Sequence, residues 1–283
     1  MSFIFDDIRV LDGNHSRCAG SSPALGTRFR NCLVIVVWCI LFMGGAIMSL
    51  EAAPQTFRYD WVKGQRLYYR VIVRGGVEVE TPIGVQTNPI HIEMDIRQTV
   101  EDAGADLATM SMFIVLARMF QDGEAAALPE EGQTSVLWLD RRGKVEIVSG
   151  TGAWQGSEIA QMHFPEGPIK PGDGWDQTTR TPGPPATETQ TRYTFMGMAD
   201  RGGKSLAEFS SEMLLEPGAT TQIGDPNAVS RGRTWFDPVL GQVIETIADS
   251  KFTFFVPVPD QPNKLARSTT TLHTEMKLMK REP

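Results

Sequence analysis

The stretch "IHIEMDIRQ", Ile90 to Gln98, decides the fold. Ile90, Ile92, Met94 and Ile96 alternate strictly with His91, Glu93, Asp95 and Arg97. Alternation of this kind sorts apolar from polar residues only in an extended chain, where successive side chains point to opposite sides. A helix would scatter the same residues around its circumference. The stretch therefore predicts a strand with one buried and one wet face, and with it an antiparallel sheet covered on a single side.

The pattern recurs outward in both directions. In "RLYYRVIVR" (66–74) Leu67, Tyr69, Val71 and Val73 share a face, and near the C-terminus Leu272, Met276 and Leu278 share one with Thr270 and Thr274. His273, Glu275 and Lys277 then point the other way. Runs rich in β-branched and aromatic residues at 136–139, 145–148, 192–196, 243–247 and 251–256 add further strands. "AWQGSEIAQM" (153–162) is the one short helix expected after residue 53.

Three pieces occur twice in the same order. "WVKGQ" (61–65) matches "IKPGDGW" (169–175), "TVEDAGADLATM" (99–110) matches "MADRGGKSLAEF" (198–209), and "LWLDRRGKVEIV" (137–148) matches "TWFDPVLGQVIE" (234–245). Such self-similarity implies two copies of one sheet-building unit, at 54–150 and 164–283, joined by a connector at 151–163. "TMSMFIVLARMF" (109–120) has the length of either element and is read as a strand from its place in this repeat. In the third piece Asp140 with Gly143, and Asp237 with Pro238 and Gly241, carry the residues of tight turns closing hairpins. Trp138 and Trp235 precede the two acids, and each is expected to anchor the core of its half. The expected architecture is all-β and antiparallel, two pseudo-repeated halves curling into an open barrel or strongly curved sheet. Pro- and Gly-marked stretches at 121–133, 178–190, 216–232 and 257–267 are expected to be long loops, where binding concentrates.

The first 53 residues differ from the rest. An apolar block runs from Cys32 to Leu50, with Arg28 and Arg30 before it and Glu51 after it. A basic flank stays cytoplasmic while the apolar run crosses the bilayer, which predicts a signal peptide, or a signal anchor if uncut. The chain beyond this leader is then expected in the periplasm or outside the cell. Cys18, Cys32 and Cys39 all lie in the leader, so the exported part has no disulfide, thiolate nucleophile or cysteine metal ligand. Four basic and four acidic residues cancel within the leader, so the formal charge of −7 belongs to the exported part. A mildly acidic surface argues against nucleic acid as a partner, which needs clustered Lys and Arg.

Catalytic signatures are few. "GMADRGGKS" (197–205) resembles a phosphate loop, but its first glycine stands one residue too early, and the matching stretch in the other copy is a plain turn. Asp140 and Asp237 are explained as turn residues rather than as a catalytic dyad. No Gly-x-Ser-x-Gly elbow and no His-Glu-x-x-His motif occur. No catalytic residue and no cofactor are therefore assigned. The one metal constellation worth weighing is His91 and Glu93 with His273 and Glu275, which would converge if their two strands paired. A solvated sheet face accounts for the same residues. Methionine is frequent in the exported part and suits either core filling or an adaptable apolar groove.

Pro168, Ile169, Lys170, Gly172, Asp173 and Trp175, together with "FRYDWVKGQRLYYRV" (57–71) and the "WFDPVLGQVIE" hairpin, resemble a family of exported bacterial β proteins known only as a domain of unknown function. The resemblance implies a β-rich architecture and an envelope location, and transfers no catalytic residue. The function expected is a non-catalytic envelope protein that binds an apolar ligand or a protein partner through a curved sheet and its loops. The alternative is a metal-assisted or loop-borne hydrolase.

Overall fold

The computed structural model describes residues 53–81, 84–121, 123–149, 161–181, 187–215, 227–258 and 261–283. Residues Ala52–Pro283 form one compact unit. The apolar block 32–50 and most of the expected helix at 153–162 lie outside the described residues. No helix among those described is long and apolar enough to cross a membrane.

Among the described residues twelve strands make a single antiparallel sheet. In chain order they are β1 (Arg66–Thr81), β2 (Gly84–Ala103), β3 (Leu107–Gln121), β4 (Glu124–Ala127), β5 (Thr134–Asp140), β6 (Val145–Ser149), β7 (Gly174–Thr181), β8 (Thr187–Arg201), β9 (Lys204–Leu215), β10 (Asn227–Asp237), β11 (Gln242–Val258) and β12 (Gln261–Glu282). Their order across the sheet is β6-β5-β3-β2-β1-β12-β11-β10-β9-β8-β7, with β4 beside β3. The quoted stretch lies in β2, where Ile96 and Val100 are buried and the alternation sets the face. The run 109–120 is strand, within β3.

The two copies occupy opposite sides of the sheet. The first runs β1-β2-β3-β5-β6, the second β7-β8-β9-β10-β11, and β12 splices the start of one to the end of the other. Matching bonds recur: Gly64 N donates to Val100 O and Val100 N to Gln65 O, while Gly172 N donates to Phe195 O and Phe195 N to Asp173 O. Irregularities in register fall at the same place, between Val100 and Asp102 and between Phe195 and Gly197.

The sheet is strongly curved and not closed, since β6 and β7 are its two ends. Leu137 and Leu139 of β5 share one core cluster with Tyr193 and Phe195 of β8. Eight strand steps separate β5 from β8. Laid flat at the usual interstrand spacing, those side chains would stand about 38 Å apart. Bending is what brings them together.

Two irregular segments fill the inside at one end. Residues 53–61 carry Phe57, Tyr59 and Trp61, and residues 161–169 carry Met162, Phe164 and Ile169, all buried. The segments bridge each other at Gln55 and Ile169. Phe57 touches Phe164, Phe195, Phe209 and Phe236 with ring centroids 5.0 to 6.2 Å apart. At this end lie the β2–β3, β5–β6, β8–β9 and β10–β11 turns, which makes it the closed end.

Both acid turns form as the spacing predicts. Asp140 Oδ1 accepts from Arg142 N and Lys144 N, and Asp237 Oδ1 accepts from Val239 N and Leu240 N. Neither of the tryptophans before them joins the main core cluster. Trp138 is 40% exposed, and Trp235, although buried, lies under the Arg201 guanidinium 3.7 Å away on the outer face. The alternation that turns Leu137, Leu139 and Phe236 inward leaves their tryptophan neighbours outside. The loops are also shorter than the Pro and Gly content predicts. β4 occupies part of 121–133, β7 and β8 extend to Thr181 and from Thr187, β10 begins at Asn227, and β11 and β12 take up most of 257–267.

Candidate functional site

The inner face of the sheet continues past the aromatic plug toward the opposite, open end. Residues directly opposite one another in a sheet share a face, so the strand registers define successive rows. The first row is Ala117, Met94, Val71, Met276, Thr246 and Thr234, running from β3 to β10. Next comes Met119, Ile92, Val73, Thr274, Ala248 and Gly232. The third holds Ile90, Gly75, Leu272, Ser250 and Ser230.

Burial falls along these rows. Val71 and Ala117 are buried, whereas Val73, Ile90, Ile92, Met94, Met119, Leu272 and Met276 are only half-buried. The first-copy side is therefore a wall of aliphatic and thioether groups that is only partly covered, with Val73, Met94 and Met276 packed against the core cluster. Small hydroxyl residues dominate the other side. Their polar atoms pair with each other, Thr234 Oγ1 with Thr246 Oγ1 at 3.2 Å and Ser250 Oγ to Ser230 Oγ at 2.7 Å. Hydroxyls satisfied in this way leave the surface less demanding of water. At Gly75 β1 and β12 approach closely, since a Cβ there would meet the Thr271 carbonyl oxygen.

The four metal candidates lie on the outer face. β2 and β12 do not pair with each other; β1 runs between them. Arg74 stands between His91 and His273, and Ile72 between Glu93 and Glu275. His273 uses both ring nitrogens locally, Nδ1 with Asp249 Oδ1 at 2.8 Å and Nε2 with Glu275 Oε1 at 3.2 Å. Those two carboxylates raise the imidazole pKa above its ordinary value. His91 lies 3.3 Å from Glu93 and stacks on Phe120. Among the described residues no group of three or more His, Cys, Asp or Glu side chains is placed to hold a metal ion.

Sequence patterning does not reveal the plug. Phe57, Tyr59 and Trp61 alternate with Arg58 and Asp60, and Met162 and Phe164 flank His163, but runs this short do not distinguish a filling segment from a strand.

No protein-family model and no curated protein matches the chain. Among solved structures, lipovitellin, from a study of its lipid–protein interactions, matches 79% of this chain with a TM-score of 0.48 and 11% identity. The chain spans 26% of the lipovitellin chain's length. A Vibrio parahaemolyticus domain assigned to outer membrane lipoprotein sorting matches 79% of this chain and 86% of its own, with a TM-score of 0.24 and 8% identity.

Proposed function

We propose that this is a non-catalytic protein of the bacterial envelope that holds an apolar ligand, an acyl chain, against the inner face of its curved sheet. The observation that carries the reading is the half-buried apolar wall of Val73, Ile92, Met94, Met119 and Met276. It continues the core surface away from the plug, its residues half-buried and three of them packed against the core cluster. A concave apolar face bounded by few polar groups is the usual form of a site for a lipid-like ligand. Methionines at Met94, Met119 and Met276 give that wall adaptability, because an unbranched thioether fits chains of varying shape. Export is supported by the basic-flanked apolar run Cys32–Leu50 and by the resemblance carried by Pro168 to Trp175.

Titration with a fluorescent fatty acid tests the reading. Uptake is expected in the native protein. Ile92→Glu, which puts a charge in the middle of the wall, is expected to abolish it, while Thr271→Glu on the exposed outer face leaves it unchanged. No uptake by the native protein, or equal uptake by both variants, would overturn the proposal. The N-terminal sequence of the protein recovered from the envelope tests the export half.

A further inference from the structure

The inner rows continue past β10 into the rest of the second copy. Register carries the first row from Thr234 to Phe209 and Phe195, and the second from Gly232 through Ser211 and Tyr193 to Trp175. The third runs from Ser230 through Met213 and Thr191 to Gln177. In none of the three rows does any position hold Asp, Glu, Lys, Arg or His. The outer face of the same strands is dense in charge, with Arg70 on Asp95, Arg231 on Glu212 and Arg233 on Glu208. A carboxylate or phosphate brought among the inner rows would meet no cation there, and an unpaired charge taken out of water is strongly disfavoured.

Tyr193 supplies a neutral donor in this setting. It is 6% exposed, and its ring stacks on Trp175 with centroids 5.5 Å apart. Trp175 is itself fixed by Nε1, which donates to His163 O at 2.7 Å. The phenols of Tyr59 and Tyr69 are matched, donating to Met162 O and Val243 O, both at 3.1 Å. The Tyr193 hydroxyl has no hydrogen bond among the described residues, although a buried phenol normally finds a partner. Trp61 Nε1 and Gln65 Nε2 are sealed without a partner, whereas the Tyr193 oxygen keeps accessible surface. It faces the interior, near enough to Tyr59 to oppose that phenol's ionisation. Burial pushes its own pKa up to about 12, so the proton stays on at neutral pH. Tyr193 belongs to the core cluster against which Val73, Met94 and Met276 of the apolar wall pack.

We infer that the ligand is an uncharged acyl ester of the monoacylglycerol type, whose carbonyl oxygen accepts a hydrogen bond from the Tyr193 hydroxyl while its chain lies on the wall of Val73, Met94 and Met276. The inference rests on the acyl-binding reading and narrows its ligand class. An ester carbonyl accepts a hydrogen bond without bringing a charge into rows that cannot balance one. The half-buried hydroxyls of Ser211, Thr191 and Thr274, in the same two rows, suit a polyol head. A free fatty acid shares the chain contacts only while its carboxylate stays in water at the open end.

Displacement of the fluorescent fatty acid from the full chain by 1-monolaurin and by laurate, which carry the same acyl chain, tests the inference. Monolaurin is expected to displace at the lower concentration. Tyr193→Phe, which removes only the hydroxyl, should weaken monolaurin roughly two- to tenfold, the loss of one neutral hydrogen bond, and leave laurate unchanged. With an isotope-labelled ester, the infrared carbonyl stretch should fall on binding to the native protein and not on binding to Tyr193→Phe. If that variant does not fold, the stretch in the native protein carries the test. An unshifted stretch overturns the inference and leaves the acyl wall standing. So does laurate displacing as well as monolaurin, no displacement by monolaurin of a probe that is taken up, or a Tyr193→Phe effect that is nil or equal for both ligands. If the native protein takes up no fluorescent fatty acid and the labelled ester does not bind, the acyl-binding reading falls and this inference with it.

Discussion

The backbone N–H of Asp60 donates to the carbonyl of Gly241 at 3.1 Å, one residue after Tyr59 N donates to Arg141 O at 2.7 Å. Consecutive residues of one irregular segment thereby grip the equivalent turns of the two copies. The β5–β6 and β10–β11 turns, from opposite sides of a bent sheet, are tied through residues 59 and 60. Phe164 N adds a third tie, to Arg142 O. The plug is thus a strap as well as a filler, and it holds the curvature that creates the inner face.

Glycine is required where the strap crosses the turns. Gly143 has φ of +99°, and a Cβ there would collide with Met162 O and the Tyr59 ring. At Gly241 the same atom would collide with Asp60 N. Gly143→Ala is expected to destabilise the protein by about 2 to 4 kcal/mol in urea unfolding, combining left-handed strain with overpacking. Gly64→Ala, at φ of +87° with open space around it, should cost only about 1 kcal/mol.

Phe57 sits within the plug against four aromatic neighbours. Phe57→Ala is expected to cost about 3 to 5 kcal/mol. Because the strap ties both copies, unfolding followed by circular dichroism and by tryptophan fluorescence should remain a single coincident transition. Separate transitions for the two copies would contradict a shared core.

Alkaline stability depends on three buried phenols. Burial raises the pKa of Tyr59 and Tyr69 well above the ordinary tyrosine value and pushes Tyr193 up to about 12. A group whose folded pKa is raised contributes stability that is whole below its unfolded pKa and is lost as pH rises through the folded value. Stability should therefore fall from about pH 10, the unfolded value, toward the folded one. Absorbance titration at alkaline pH should show Tyr193 ionising late, and the early ionisation of all four tyrosines without unfolding would contradict this.

On the outer face, Asp249 and Glu275 raise the pKa of His273. The stability that this pairing contributes is present below the unfolded histidine pKa and fades as pH rises through the raised one. An NMR titration of the ring should give a midpoint above the ordinary value, and Asp249→Asn should lower it. The effect on stability will be small, because the ring and both carboxylates are solvent-screened.

Local features of the sheet are legible in the sequence, and contacts distant along the chain are not. Period-two alternation at Ile90 to Ile96 and the turn residues at Asp140 and Asp237 act over a few positions, so they can be read directly. Trp138 is misread when ring size outweighs alternation, because Leu137 and Leu139 already claim the inner face. The separation of His91 from His273 depends on β1 lying between β2 and β12, a pairing across nearly the whole chain that no local pattern encodes. Pro257 reads as a loop marker yet sits within the long strand β11. The apolar faces of β1, β2 and β12 that build the inner wall are legible from alternation, but their joining into rows needs the registers of five or more strands.

Photocrosslinking with a diazirine-bearing fatty acid, with peptide mapping of the adducts, tests the acyl-binding account most directly. The account predicts labels on Val73, Ile92, Met94, Met119, Leu272 or Met276, with none on the outer-face neighbours Arg74, Glu93 and His273. Labels confined to the outer face, or no saturable labelling, would contradict it.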